Sequence, residues 1–185
     1  AQPLLHSNIG GDNAIDGGLT KLGVGTLTLS GATTNYTGVT TVSAGTLTLQ
    51  DTTVFASSSI VDNANVVLNF SSPFNYANPI TGTGGLTKTG TSNVTFSGTS
   101  TNTYAGTTIL DNGILTLSKT GGAFAISGPL QMGGGNTNQP YLRMGQSNQF
   151  AAGVVMTETN VQGNWVRFDL LGTNQTLAGV QDIVG

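Results

Sequence analysis

The stretch that decides the fold is "GGLTKLGVGTLTLSG", residues 17–31, because the chain says nearly the same thing again as "GGLTKTGTSNVTFSG", residues 84–98. Aligned outward from these two phrases, Gly17–Leu49 and Gly84–Leu117 match with a shift of 67 residues, which becomes 68 after one inserted residue at Thr103. Leu19 meets Leu86, Lys21 meets Lys88, Leu29 meets Phe96, Tyr36 meets Tyr104, Gly38 meets Gly106 and Gly45 meets Gly113. An internal copy of this kind marks a repeat architecture, in which one unit buries its apolar face against the next.

A shorter period lies inside the long one. "GTLTL" at 25–29 returns at 45–49, then loosely as "NVVLNF" at 65–70, "NVTFSG" from 93, "GILTLS" from 113, "YLRMG" from 141 and "WVRFDLLG" from 165. Each segment alternates, placing Leu27, Leu29, Leu47, Leu49, Val66, Leu68, Val94, Phe96, Leu115, Leu117, Leu142, Met144, Val166 and Phe168 on one face. A period of two means strands with one buried side. Gly and Asn gather between them, in "GATTNYTGV" from Gly31, "GTSTNTYAG" from Gly98, "VSAG" from 42, "VDNA" from 61 and "LDNG" from 110. Both residues tolerate the left-handed backbone that a tight corner requires. The pattern predicts an all-β chain: a right-handed parallel β-helix, or β-solenoid, of about seven rungs of three short strands each. Leu27, Leu29, Leu47, Leu49, Phe96, Leu115, Leu117 and Phe168 are expected inside. One domain over 1–185 is expected, with repeat units at about 17–83 and 84–150 and divergent rungs at 151–185.

Composition agrees. Thirty Thr, 17 Asn and 28 Gly accompany only five Lys or Arg and eight Asp or Glu. Low charge argues against simple disorder, and the Thr content suits a pleat better than a helix. A net charge of -3 offers no basic field for nucleic acid or anionic lipid. The absence of cysteine excludes disulfides and thiolate metal sites. No apolar run has the length of a membrane-spanning helix. "AQPLLHSN" has neither Met nor a signal-peptide core, which reads as a mature product or a fragment.

The residues "GGLTKTG" and "VTFSGTSTNTYAGTTILDNGILTL" resemble the autotransporter-associated β-strand repeat, also called the passenger-associated transport repeat. The resemblance covers Gly17–Leu49 and Gly82–Leu117; elsewhere it rests on the rung phase. It implies a β-helix in large secreted or surface proteins of Gram-negative-type bacteria, with no catalytic residue and no cofactor. It also implies a location outside the cell or on its surface. After residue 150 no ten-residue amphipathic strands with aromatic girdles follow, so no outer-membrane barrel is legible in this stretch.

Several residues invite chemistry. Asp62 and Asp111 fall in the same corner by phase, two rungs or roughly 9–10 Å apart, near the separation of an inverting carboxylate pair. Both stand in D-N-A or D-N-G turns, where Asp bonds local backbone, and the turn role is the favoured one. His6 is the lone histidine, and it reads as a polar residue of the terminus rather than a ligand or base. "GGGNTN" at 133–138 is followed by neither an acid nor a G-K-[ST] signature, so it reads as a corner loop. Thr28, Thr48, Thr95 and Thr116 point outward in near-aligned ladders that could meet ice or a glycan, though plain β-propensity on a solvated face is the favoured reading. Tyr36 and Tyr104, with Phe150 and Leu177 in similar phase, could form a sugar-stacking platform, but a half-buried stack at the corner is the favoured reading.

The expectation is therefore a structural, non-enzymatic segment of an extracellular bacterial repeat protein: a stalk, an adhesin shaft or a filament subunit. The alternative is a β-helix that binds or cleaves polysaccharide on an exposed face. "LLHSNIGG" and "AGVQDIVG" at the two ends resemble internal phases "NYANPITG" and "TGVTTVSA". From this comes the expectation of end-to-end self-association or continuation into a longer solenoid.

Overall fold

The computed structural model describes residues 17–31, 34–52, 54–134, 138–160 and 165–184. Among these there is no helix, and every strand pair is parallel. Rung one consists of β1 (Leu19–Lys21) and β2 (Thr26–Ser30), and rung two of β3 (Thr40–Val42) and β4 (Thr46–Gln50). Rung three gains a third side, with β5 (Ile60–Asp62), β6 (Asn65–Asn69) and β7 (Phe74–Tyr76). Rung four repeats it with β8 (Ile80–Thr81), β9 (Gly85–Lys88) and β10 (Asn93–Phe96). Rungs five to seven keep two strands each: β11 (Thr108–Leu110) and β12 (Ile114–Leu117), β13 (Leu130–Met132) and β14 (Tyr141–Met144), β15 (Val155–Asn160) and β16 (Arg167–Asp169). A further strand, β17 (Gly179–Val184), begins the next coil.

Stacking these rungs makes three sheets: β1-β3-β5-β8 on the first side, β2-β4-β6-β9-β11-β13-β15-β17 on the second and β7-β10-β12-β14-β16 on the third. The chain is an all-β parallel solenoid of about seven turns. Three strands per rung hold only for rungs three and four. Where the third side has no strand, Thr34 and Phe55 make an isolated parallel bridge; where the first side has lost its strand, Ile126 and Phe150 make another. Polar side chains also replace strand pairing there. Asn102 accepts from the Ile80 amide at 3.0 Å and donates to the Ala125 carbonyl at 2.9 Å. Gln149 accepts from the Lys119 amide at 2.8 Å and donates to the Lys119 carbonyl at 3.0 Å.

The core is one continuous apolar column. Leu47, Leu49, Val66, Leu68, Leu86, Val94, Phe96, Leu110, Leu115, Leu117, Leu142 and Met144 are buried. Leu27, Leu29, Val166 and Phe168, expected inside, are only partly buried, because they lie on the first and last rungs and, among the described residues, have a covering layer on one side.

The expected single column of "TLTL" strands is corrected. β2, β4 and β6 stack on the second side, but β6 is followed there by β9, whose sequence is GLTK. The second copy's "NVTF" and "ILTL", β10 and β12, stand on the third side instead. The 67 residues from Leu19 to Leu86 thus cover three rungs plus one side. β7 initiates the new side: the Phe70 and Phe74 rings stack at 4.1 Å across the corner, and Tyr76 faces Phe96 in the register. The shift is tolerated because each side of the coil makes the same demand, namely two inward apolar residues in alternation.

Candidate functional site

The rotation of the second copy dissolves the proposed acid pair. Asp62 ends β5 on the first side, whereas Asp111 follows β11 on the second, so the two carboxyls occupy different corners. Each is committed locally. Asp62 accepts from the Ala64 amide at 3.0 Å, the turn bond expected of a D-N-A corner. Asp111 is held at Oδ2 by Asn138 at 3.2 Å, and Gly134 packs so closely that a Cβ there would lie 1.9 Å from Asp111 Oδ1. Of the "GGGNTN" loop, residues 135–137 lie outside the described residues, as does His6. Among the described residues no group of three or more His, Cys, Asp or Glu gathers as a metal cluster would.

Asp62 is nonetheless unusual. Its side chain is fully buried, and Oδ2 has no hydrogen-bond partner. Burial raises its carboxyl to about 6, against the pull of the Ala64 amide. In the register it takes the inward place held by Val42 and Lys21 on the rungs before it.

The sequence reading missed the lysines. Lys21, Lys88 and Lys119 are all buried, and each sends Nζ to backbone carbonyls at a corner. Lys21 donates to Leu22 at 3.0 Å, Gly23 at 2.7 Å and, on the next rung, Ala44 at 3.0 Å. Lys88 makes the same clamp in the second copy, donating to Gly90 and, at 3.0 Å, to Asn112 on the next rung. Lys119 donates to Ser97 at 3.0 Å. Burial pushes the Lys88 and Lys119 ammonium groups down to about 8. The signal was present in "GLTK": Lys stands two residues after an inward Leu and so must point inward as well.

A second device recurs with it. Tyr36 and Thr40 share a hydroxyl–hydroxyl bond of 2.6 Å, and Tyr104 and Thr108 share another of 2.6 Å. In the first copy the chain runs on, with Thr40 donating to Ser57 at 2.8 Å and Ser57 to the Gly38 carbonyl at 2.9 Å. Burial raises both tyrosines above the ordinary phenol range. These residues therefore pack inward, as the favoured corner stack requires, and form no sugar-stacking platform. Tyr36, Tyr104 and Phe150 are buried, and Leu177 packs partly buried against the core, so none presents an open ring face. The Thr ladder is corrected. Thr28 and Thr48 pair on the second side and Thr95 and Thr116 on the third, so the four form two short pairs on different faces.

The exposed chemistry lies at the far end of the third side. Tyr141 and Arg143 on β14 register with Arg167 and Asp169 on β16. The Arg167 guanidinium lies 4.4 Å and that of Arg143 5.0 Å from the Tyr141 ring centre. Asp169 accepts from the Tyr141 hydroxyl at 2.8 Å, the Leu171 amide at 3.1 Å and Arg167 at 3.3 Å. The Tyr141 hydrogen bond foremost, then the Leu171 amide, holds its carboxyl below the usual carboxylate range.

Residues 19–49 and 86–117 match the family model of the passenger-associated transport repeat. No curated protein matches the chain, and no solved structure does. The two matched segments coincide with the two lysine clamps and the two Tyr–Thr pairs. Repeat and solenoid together fit a structural segment of an autotransporter passenger, and the repeat points to secretion or the cell surface.

Proposed function

We propose that this chain works as a non-enzymatic shaft: a stiff piece of a passenger that carries other parts away from a bacterial surface, or a subunit of a filament. The observation that carries the reading is where the repeat spends its distinctive side chains. Lys, Tyr and Thr of both copies are buried and bond corner backbone or one another, so the motif specifies coil geometry and leaves no set of converging reactive groups. A solenoid gains rigidity this way, because each rung is hydrogen-bonded to its neighbours along the whole axis. Low charge and missing cysteine suit a chain that crosses a membrane unfolded and coils outside.

The test is display. Fused ahead of an outer-membrane translocator barrel, the chain should reach the cell surface, become accessible to antibody on intact cells, and resist added protease as a folded body. Retention inside the envelope, or surface material digested as readily as unfolded chain, would overturn the reading.

A further inference from the structure

Five residues of this chain are Lys or Arg, and the three lysines are turned into the core. The outward charge from Lys and Arg is therefore that of Arg143 and Arg167, and both lie against one ring, Tyr141. Beside them runs a groove of ≈380 Å³ whose lining includes Asn112, Gln139, Pro140, Tyr141, Trp165 and Arg167. It follows the corner ahead of the third side from Thr91 on rung four to Arg167 on rung seven, so it runs along the axis for three rung steps of about 4.8 Å. Trp165, the only tryptophan, is 77% exposed at this groove.

An open indole, a guanidinium and side-chain amides along an extended channel are the groups that recognise an oligosaccharide with a negative charge. The indole offers an apolar plate to a sugar ring, and the amides offer donors and acceptors to its hydroxyls. Arg167 is prepared for a carboxylate. Asp169 fixes one end of its guanidinium, the Tyr141 ring supports its face, and 66% of its side chain remains exposed. The Asp169 charge is already met by three donors, and with two arginines around Tyr141 the patch keeps a net positive charge on a chain of net charge -3. Two cations are too few for the multiple phosphate contacts that nucleic acid binding needs. The rung spacing is close to the length of one pyranose, so successive sugars can meet successive rungs.

We infer that this corner is a binding site for an acidic, uronate-type glycan, with Trp165 stacking on a sugar ring and Arg167 pairing with a sugar carboxylate. The inference goes beyond the shaft role and does not depend on it. Since Trp165 is the sole tryptophan, its emission reports occupancy directly. Titrating the whole chain with trigalacturonate should shift the emission to shorter wavelength and saturate, while maltotriose should leave it unchanged. Arg167→Gln should weaken trigalacturonate at least tenfold with an unchanged far-UV spectrum, and Trp165→Ala should abolish the heat of binding in calorimetry. Added salt should weaken the wild-type interaction. No shift at 10 mM trigalacturonate, on the order of the weakest binding of interest, an equal response to maltotriose, or an Arg167→Gln variant that binds as well as the parent would each overturn the assignment.

Discussion

A lysine ammonium inside a β-solenoid carries a desolvation cost that only nearby dipoles can offset. At Lys88 the dipoles are the carbonyls of Gly90 and Asn112, one on its own rung and one on the next, so the side chain ties consecutive corners together. Lys88→Ala removes the clamp, leaves two carbonyls without their donor and opens a cavity. A loss of about 3 kcal/mol is expected by urea titration, whereas Lys88→Met fills the space and should lose only about 1–2 kcal/mol. The titration of these groups has a definite sign. Lys88 and Lys119 are pushed down to about 8 from 10.5, so between those values the unfolded chain binds more protons and stability rises with pH. Tyr76 and Tyr104 are pushed up by burial, so above their ordinary value of 10 the unfolded chain loses protons that the fold retains, and stability falls again. The urea midpoint should climb from pH 8 to a maximum near 10, and Lys88→Met should flatten the climb. At the acid end, Asp62 is raised from 3.8 to about 6, so the fold holds its proton where the unfolded chain has released it. Stability from this group is complete below pH 3.8 and is lost as pH rises through 6. Asp62→Asn imitates the protonated acid and keeps the acceptor for Ala64, so it should raise the urea midpoint at pH 8 and leave it unchanged at pH 4. A variant that is equally stabilised at both pH values would show that the carboxyl is not held neutral by the fold.

At the scale of strands and corners, the same short phrase serves on whichever side of the coil it reaches. Gly45 and Gly113 correspond in the two copies and have the same backbone, φ 71 and φ 70, yet Gly45 makes the corner between the first and second sides and Gly113 that between the second and third. A Cβ would lie 2.3 Å from the Gly25 carbonyl oxygen at the first and 2.4 Å from that of Gly90 at the second, so both positions combine a left-handed backbone with contact against the rung before. Gly153 has φ 91 and open space around it. Gly153→Ala should therefore cost about 1 kcal/mol from backbone strain alone, and Gly113→Ala about 3 kcal/mol or more because the rungs must part. Leu47, wholly buried on β4 between Leu27 and Val66, gives the matching test for a strand. Leu47→Asp should abolish the cooperative thermal transition, since an unpaired charge in the stack costs several kcal/mol. Alternation and Gly or Asn corners made the strands and their inward faces legible in the sequence. What they could not carry was the side on which each strand falls, because Leu27 and Val94 satisfy the same rule on different sheets. That assignment depends on how many residues lie between strands and on the Phe70–Phe74 stack that starts a new side. The misplaced Asp62–Asp111 pair follows from it directly. The clamping lysines were legible in phase, but composition habits place lysine outside, and only the neighbouring carbonyls show why it is inside.

For the whole molecule, a solenoid has no closed core, and its stability depends on how well each rung is covered by the next. The central rungs are covered on both sides. At the outer ones the inward residues change character: Leu27 and Leu29 of β2 are partly buried, Val180 of β17 is 61% exposed, and the register continues the column through Glu158 to Asp182. β2 and β17 are the outermost strands of the eight-stranded sheet among the described residues, each pairing with one described neighbour. Hydrogen exchange should follow this gradient, with amides of β4, β6, β9, β10, β11 and β12 protected to the limit of global unfolding and those of β2, β16 and β17 exchanging by local opening. The gradient also tests self-association. Parallel rungs present complementary edges at opposite ends, so copies stacked head to tail would continue the second sheet, the one of the three that runs from the first described rung to the last described strand, and a contact of that kind does not close on itself. The filament would then repeat about every 38 Å, eight steps of about 4.8 Å: seven from β2 to β17 and one across the junction. Stacking pairs the terminal amides with a neighbouring copy, so protection of β2 and β17 should increase between low and high micromolar protein while that of β9 and β10 stays constant. Sedimentation velocity over the same range should show a ladder of rods. Unchanged exchange in β17, together with a single monomeric species at the highest concentration, would rule out end-to-end assembly and leave the shaft role to the chain as one continuous coil.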